Sequence, residues 1–183
     1  MSRSVAESRS AGVVVVVPAA DAAAESGVAG GATRSDSVRA GLEAVPADAD
    51  VICVHDAARP LASADLFDRV VDAVAAGADA AIPGIAVTDT IKVIDSTTAG
   101  GSVLGDVAAT PDRSTLISVQ TPQAFRAAAL RAAHAAGGDA TDDAALLEAA
   151  GGRVVVVEGD PLARKITTPD DLTWARAQVG STE

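Results

Sequence analysis

A chain of 183 residues, 49% hydrophobic and 21% charged, has room for one domain with a sizeable core and too little for two ordinary ones. A net charge of −11 and only three aromatic residues, Phe67, Phe125 and Trp174, exclude a binder of nucleic-acid backbones and a base-stacking platform. A single cysteine, Cys53, excludes an internal disulfide and a cysteine-cluster metal site and fits a reducing cytoplasm. Residues Met1 to Gly12 are small and polar and read as a disordered tail without a secretion signal, ahead of a single domain over 13–183. The longest apolar block, Val13–Val17, is strand-sized, so no membrane-spanning helix is predicted. A helix is predicted over Ser35–Ala44, a strand over Val51–Val54, a helix over Ser63–Ala76 and a strand over Ala80–Pro83. The helical pattern returns at Ala124–Ala136 and at Asp142–Ala150, where Thr141 stands in the capping position. A strand follows at Val154–Val157 and a last helix at Pro169–Gln178, opened by the cap Thr168, a proline at the first position and two acids on the positive dipole end. Strands apolar on both faces, alternating with helices, imply an α/β class with a parallel or mostly parallel sheet covered on both sides.

One stretch breaks the alternation. Thr88–Val119 has no helical period and reads as a strand (Thr90–Ile94), a glycine turn (Ala99-Gly100-Gly101), a second strand (Ser102–Gly105) and an extended return to Leu116–Val119. A hairpin of this length is too long to pack wholly on its own domain. It reads as an arm reaching a second subunit.

Four polar clusters lie in loops after strands, where α/β folds keep their sites. The first, Gly30-Gly31-Ala32-Thr33-Arg34-Ser35-Asp36-Ser37-Val38, is a glycine turn running into a helix N-terminus. It suits an anion or a base edge, and equally an ordinary capped turn. The second, His55-Asp56-Ala57-Ala58-Arg59-Pro60, leaves the carboxyl end of a strand. There Asp56 is placed to hold magnesium on phosphate oxygens and Arg59 to neutralise a phosphate, or the two form a structural ion pair. His55 receives no role. The third comprises Asp89-Thr90, Lys92, Asp112-Arg113 and Gln120-Thr121-Pro122-Gln123, a set of hydroxyls and cations suited to a phosphate cradle, or a solvated hairpin face. The fourth is Thr141-Asp142-Asp143 with Ala163-Arg164-Lys165-Ile166-Thr167-Thr168, where adjacent cations in an acidic chain suggest an anion site or a structural role. With 43 alanines and 12 arginines but only two lysines, Lys92 and Lys165, the two ammonium groups stand out.

Taken together and in this order, the clusters resemble the 2-C-methyl-D-erythritol 4-phosphate cytidylyltransferase family of non-mevalonate isoprenoid biosynthesis. The resemblance runs from about Val13 to Gln178 and is carried by the 30–38 turn, Val51–Pro60, Asp89-Thr90-Ile91-Lys92, Thr121-Pro122-Gln123, Thr141-Asp142-Asp143 and Lys165-Ile166-Thr167. It implies a Rossmann-like nucleotidyltransferase domain that joins the cytidylyl group of CTP to the sugar phosphate, releases pyrophosphate and uses Mg2+. It further implies a homodimer whose hairpin arms (about 88–119) complete each other's sites. By that resemblance Gly31, Ser37 and Ala57 line the cytosine and ribose pocket, and Asp56 faces the metal and phosphates. Arg59, Thr90, Arg113, Thr121, Thr141 and Lys165 hold the sugar phosphate, with Asp56 and Lys165 serving catalysis. The family's opening strand and loop, Pro-Ala-Ala-Gly-x-Gly-x-Arg with a later Pro-Lys pair, is not matched. Here Val17-Pro18-Ala19-Ala20 runs into Asp21, with no glycine at 21 or 23. Impaired transfer is therefore expected of the chain as it stands. Two alternatives remain open, an inactive sugar-phosphate-binding paralogue or partner subunit, and a ribitol-phosphate cytidylyltransferase.

Overall fold

The computed structural model describes residues 12–23, 27–95, 105–137, 140 and 142–180. Apolar β-branched runs give strands and small-residue amphipathic stretches give helices. In chain order these are β1 (Val16–Val17), β2 (Val28–Ala29), α1 (Arg34–Ala44), β3 (Val51–Val54), α2 (Ala64–Ala75), β4 (Ala80–Ala86), β5 (Val93–Asp95) and β6 (Asp106–Ala109). They continue with β7 (Ile117–Val119), β8 (Gln123–Arg126), α3 (Ala127–Ala135), α4 (Asp143–Ala149), β9 (Val154–Glu158) and α5 (Pro169–Gly180). The predicted tail up to Ala11, the Ala99-Gly100-Gly101 turn with residues 102–104 of the second arm strand, and Thr141 lie outside the described residues.

The α/β class holds, while the mostly parallel sheet needs correction. Along one edge β4 pairs in parallel with β9 from Ala80 to Gly84. Along the other it runs antiparallel to β8 at Ala80 and Ala81 and to β7 from Gly84 to Ala86. β3 lies on the far side of β8, again antiparallel. So β3, β4 and β9 share a direction, and the returning β7–β8 chain is threaded between β3 and β4. The sequence hides β8, because Gln-Ala-Phe-Arg leads into an alanine run and reads as the start of a helix. Burial decides otherwise. Ala124 and Phe125 are both fully buried, one on each face of the sheet, and the helix begins only at Ala127. Tertiary packing overrides the local helical preference.

Period-two alternation then sorts the core. On one face Ile52, Ile82 and Phe125 pack with Leu42, Leu130 and Leu147 from α1, α3 and α4. On the other, Ala81 and Ala124 pack with Val70 and Val74 of α2. Helices cover both faces, as expected. Burying each of the larger apolar side chains contributes about 2 kcal/mol. β1 and β2 form their own two-stranded parallel sheet, Val16 opposite Val28, beneath α1. Among the described residues β3 pairs only with β8, and its other edge carries no partner.

The predicted hairpin pairing is present, with both strands later than expected, the first at Val93–Asp95 where Thr90–Ile94 was expected. β5 and β6 pair antiparallel with a bulge at Val93/Ile94, and the observed second strand is Asp106–Ala109. Every residue of both strands is exposed.

Candidate active site

β3 delivers its C-terminal loop beside the residues that precede β8, because Val54 lies opposite Gln123. The Asp56 N–H donates to Thr121 Oγ1 at 3.0 Å. That hydroxyl lies 3.1 Å from His55 Nδ1, and His55 Nε2 lies 3.2 Å from the Arg59 carbonyl oxygen. The imidazole packs on the Phe67 ring, with centroids 5.1 Å apart. Burial lowers the His55 pKa, outweighing the Arg59 carbonyl and the Asp56 charge that act in the other direction. On the preceding strand, burial pushes the Cys53 thiol up to about 11, which leaves it an inert core group.

Two cations meet the Asp56 carboxylate on one oxygen. Lys165 Nζ is 3.2 Å from Oδ2 and Arg59 Nε is 3.5 Å from it. Their circumstances differ. Arg59 is largely buried and spans three segments, donating to the Ala163 carbonyl at 2.8 Å and reaching the Val119 carbonyl at 3.5 Å. It binds the end of β7 and the approach to α5 onto the Asp56 loop through its two terminal nitrogens, while Nε is buried without a hydrogen-bond partner. Lys165 is half exposed, and its ammonium can meet a ligand while still paired. Its segment is fixed by the Ile166 N–H, which donates to the Ala58 carbonyl at 2.8 Å.

The neighbouring Arg164 belongs to the framework. It pairs with Asp171 and lies over the Trp174 ring at 5.2 Å. Asp171 in turn accepts from the N–H and hydroxyl groups of Thr167 and Thr168 at the start of α5. These bonds, the Thr167 N–H foremost, hold its carboxyl well below the usual carboxylate range. The Arg164–Lys165 pair, read from sequence as an anion site or a structural pair, thus divides into one structural cation and one available cation.

The glycine turn is built by the same economy. Thr33 caps α1 through a reciprocal box with Asp36, with bonds of 3.1 and 3.2 Å. Ser37 Oγ accepts from the Gly31 N–H at 3.1 Å and donates to the Thr33 carbonyl at 3.0 Å. A Cβ on Gly30 would come within 2.8 Å of Ser37 Oγ, and one on Gly31 would overlap Asp36 Cβ. Close packing of the turn on its own helix therefore demands both glycines. From α1, Arg34 Nη2 donates to Asp143 Oδ2 at 2.8 Å, and His134 Nε2 meets the other oxygen at 2.9 Å. Burial alone would raise the Asp143 pKa. The bonds from His134 and Arg34 outweigh it and leave the carboxyl below its ordinary value. Beside it, Asp142 caps α4 through Ala145 N–H and accepts from Gln123 Nε2 at 3.0 Å.

These contacts join the glycine turn, the Asp142–Asp143 pair, the Gln120–Gln123 segment, the Asp56 loop and the Lys165 segment into one connected patch. Ala57 sits exposed on its loop. Thr90 and Arg113 remain on the exposed arm, where Arg113 Nη1 donates to the Thr88 carbonyl at 2.6 Å. No hydrogen bond or ion pair among the described residues joins either to the Asp56 loop. Sequence reasoning gave no role to His55 and missed the His134–Asp143–Arg34 cluster. The second could have been found by asking what neutralises two consecutive acids at a buried helix start.

The family model described as "IspD: 2-C-methyl-D-erythritol 4-phosphate cytidylyltransferase" matches residues 13–181. The chain belongs to the IspD family. A 2-C-methyl-D-erythritol 4-phosphate cytidylyltransferase of Rhodococcus jostii is 56% identical over 153 residues, covering 83% of this chain and 64% of that relative. Its counterpart in Nocardia farcinica is 54% identical over 148 residues, covering 81% of this chain and 61% of its own length. The chain thus spans less than two thirds of the length of these curated IspD relatives. Among solved IspD structures, that of Thermus thermophilus superposes with a TM-score of 0.71 at 41% identity, covering 84% of this chain and 72% of that one.

Proposed function

We propose that the chain carries a site for cytidylyl transfer from CTP to 2-C-methyl-D-erythritol 4-phosphate, with turnover impaired because the stretch from Pro18 to Gly30 holds no cation for the triphosphate. A phosphate oxygen of the sugar phosphate attacks the α-phosphorus of CTP and pyrophosphate leaves. The observation that carries this reading is the meeting of Lys165, Arg59 and Thr121 around Asp56 at the C-terminal end of β3. The names carried by the IspD relatives support the choice of substrates.

Lys165 is the cation placed to neutralise the phosphate oxygens, held in position by Asp56. Arg59 shapes the pocket from beneath. Gly31, Ser37 and Ala57 form the wall for cytosine and ribose, and Thr141 is assigned to the sugar phosphate. Asp56 is also the residue to hold Mg2+, since both cation contacts fall on Oδ2 and Oδ1 remains for a metal. Among the described residues no group of three His, Cys, Asp or Glu could hold such an ion alone. An ion held by Asp56 would take its remaining ligands from substrate phosphates and water, and would neutralise charge developing on the phosphate oxygens. Replacing Lys165 with Ala is expected to weaken calorimetric binding of the sugar phosphate about tenfold, the loss of one charge-assisted hydrogen bond at a half-exposed site. Thermal stability should be little changed. Unaltered affinity removes Lys165 from the site.

Thr90 and Arg113 have a place in this scheme through a second copy of the chain. Val93, Ile94 and Val107 are 47%, 44% and 60% exposed, an apolar surface that a soluble monomer seldom shows on a projecting hairpin. We assign that face to a homodimer contact that brings Thr90 and Arg113 to the partner's sugar phosphate. The double substitution Val93→Glu and Val107→Glu should halve the sedimenting mass. A sedimentation profile identical to that of the parent chain sinks this assignment. No helix among the described residues is long and apolar enough to cross a membrane, and the lone Cys53 supports a reducing cytoplasmic setting.

A further inference from the structure

We infer that His55 is a positioning residue that fixes the polarity of the Thr121 hydroxyl, so that Thr121 braces the Asp56 loop and offers no donor to a bound phosphate. The second half of this statement rests on reading the patch as an anion site. The first half follows from proton counting alone. A carbonyl oxygen can only accept, so His55 Nε2, 3.2 Å from the Arg59 carbonyl, carries the single hydrogen of the neutral ring. Nδ1 is then bare, and its partner at 3.1 Å, Thr121 Oγ1, must donate to it. Turning the ring over would set carbons against both partners, leaving two polar groups unpaired.

A threonine hydroxyl has one proton, and here it is committed. The same oxygen accepts the Asp56 N–H at 3.0 Å, so both of its satisfied directions point to the loop after β3. The residue is only 5% exposed, as befits a brace more than a ligand contact. Phe67, contributed by α2, closes one side of the imidazole and fixes the plane in which Nδ1 faces Thr121. The charged groups nearest the ring are Asp56 and Arg59 on its own loop, with Lys165 of the segment before α5 beyond Asp56. His55 therefore acts on the Lys165 ammonium through two intermediaries. Its ring orients Thr121, Thr121 holds the Asp56 main chain, and the Asp56 carboxylate holds Lys165 at 3.2 Å. Phosphate recognition falls to the ammonium, with the hydroxyl supporting it from behind.

The test is nitrogen NMR of the imidazoles in the 183-residue chain at pH 8, with His134 as the internal reference. His55 should be the Nε2–H tautomer, with its Nδ1 resonance displaced by an incoming hydrogen bond. Thr121→Val should abolish that displacement and Thr121→Ser should retain it, which separates the effect of the hydroxyl from that of packing. Titration with inorganic phosphate should then move the Lys165 Nζ resonance and leave His55 Nδ1 where it was. An Nδ1–H tautomer in the free chain overturns the inference. So does an Nδ1 resonance that follows Lys165 during the titration, because the hydroxyl proton would then have left His55 for the anion. If phosphate moves neither signal, the anion-site reading fails, while the tautomer and the two Thr121 variants still decide whether His55 sets the hydroxyl.

Discussion

Replacing Asp143 with Ala is expected to cost about 3 kcal/mol in urea denaturation, out of a total of roughly 5–15 kcal/mol for a domain of this size. The carboxylate is fully buried and takes one hydrogen bond from Arg34 and one from His134. Neither donor has a spare partner nearby, since Arg34 Nη1 and His134 Nδ1 are themselves buried without one. Removing the acceptor leaves a guanidinium and an imidazole uncompensated beside α4, and breaking a buried pair typically costs 3–5 kcal/mol. The lower end applies because the Arg34 side chain is 34% exposed and water can solvate part of it. Asp143→Asn keeps one acceptor and should lose less. The pH dependence has a definite sign. A carboxyl whose pKa is depressed on folding contributes stability in full above its unfolded value of about 4. That contribution is lost as pH falls through the lower folded value. The parent midpoint should therefore drop more steeply in acid than that of Asp143→Asn. Equal midpoints for Asp143→Ala and the parent at pH 7 would show that the cluster contributes nothing.

The 183-residue chain should give no cytidylyl transfer above background with labelled CTP, and a version extended by a family-type strand and glycine-rich loop should turn over. Transfer at phosphorus is catalysed mostly by positioned donors and cations set against developing charge. Between Pro18 and Gly30 this chain has neither Arg nor Lys, and the Gly31 N–H is already bonded to Ser37. Losing one well-placed donor costs about 3 kcal/mol, or a few hundredfold in rate, so losing several leaves almost nothing to measure. The edge of β3 without a partner among the described residues is where an added strand can gain main-chain hydrogen bonds and carry its loop to Asp56. Extension should accordingly raise the melting temperature along with the rate. Robust turnover by the unextended chain would refute the account, as would an extension that restores neither.

Much of this site was readable before any coordinates, for a local reason. Thr168 with the following acids and the capped turn ahead of α1 are signals confined to a few consecutive residues. The cap of α4, however, is Asp142 and not the predicted Thr141, since a carboxylate one residue closer reaches the Ala145 N–H. The loop after β3 was placed correctly because a strand apolar on both faces has few other positions in an α/β domain. What escaped was decided at long range. β8 could be recognised only by knowing that Phe125 and Ala124 would be pressed between two helical layers. Arg59 looked like a free phosphate fork because the carbonyls it holds belong to Ala163 and Val119, 104 and 60 residues away. Arg34 and Asp143 are 109 residues apart in sequence, and no periodicity links such positions.

The bare flank of β3 also bears on how the molecule behaves in concentrated solution. Alternate residues there, Val51 and Cys53, present main-chain groups with no strand partner among the described residues, a template on which another chain can dock by backbone pairing. The excess of eleven negative charges keeps copies apart over a distance set by the ionic strength, about 10 Å at 0.1 M. Salt thins that protection without touching the unpartnered rungs. Colloidal lifetime is therefore a contest between electrostatic range and strand edge, and it shortens as buffers become stronger.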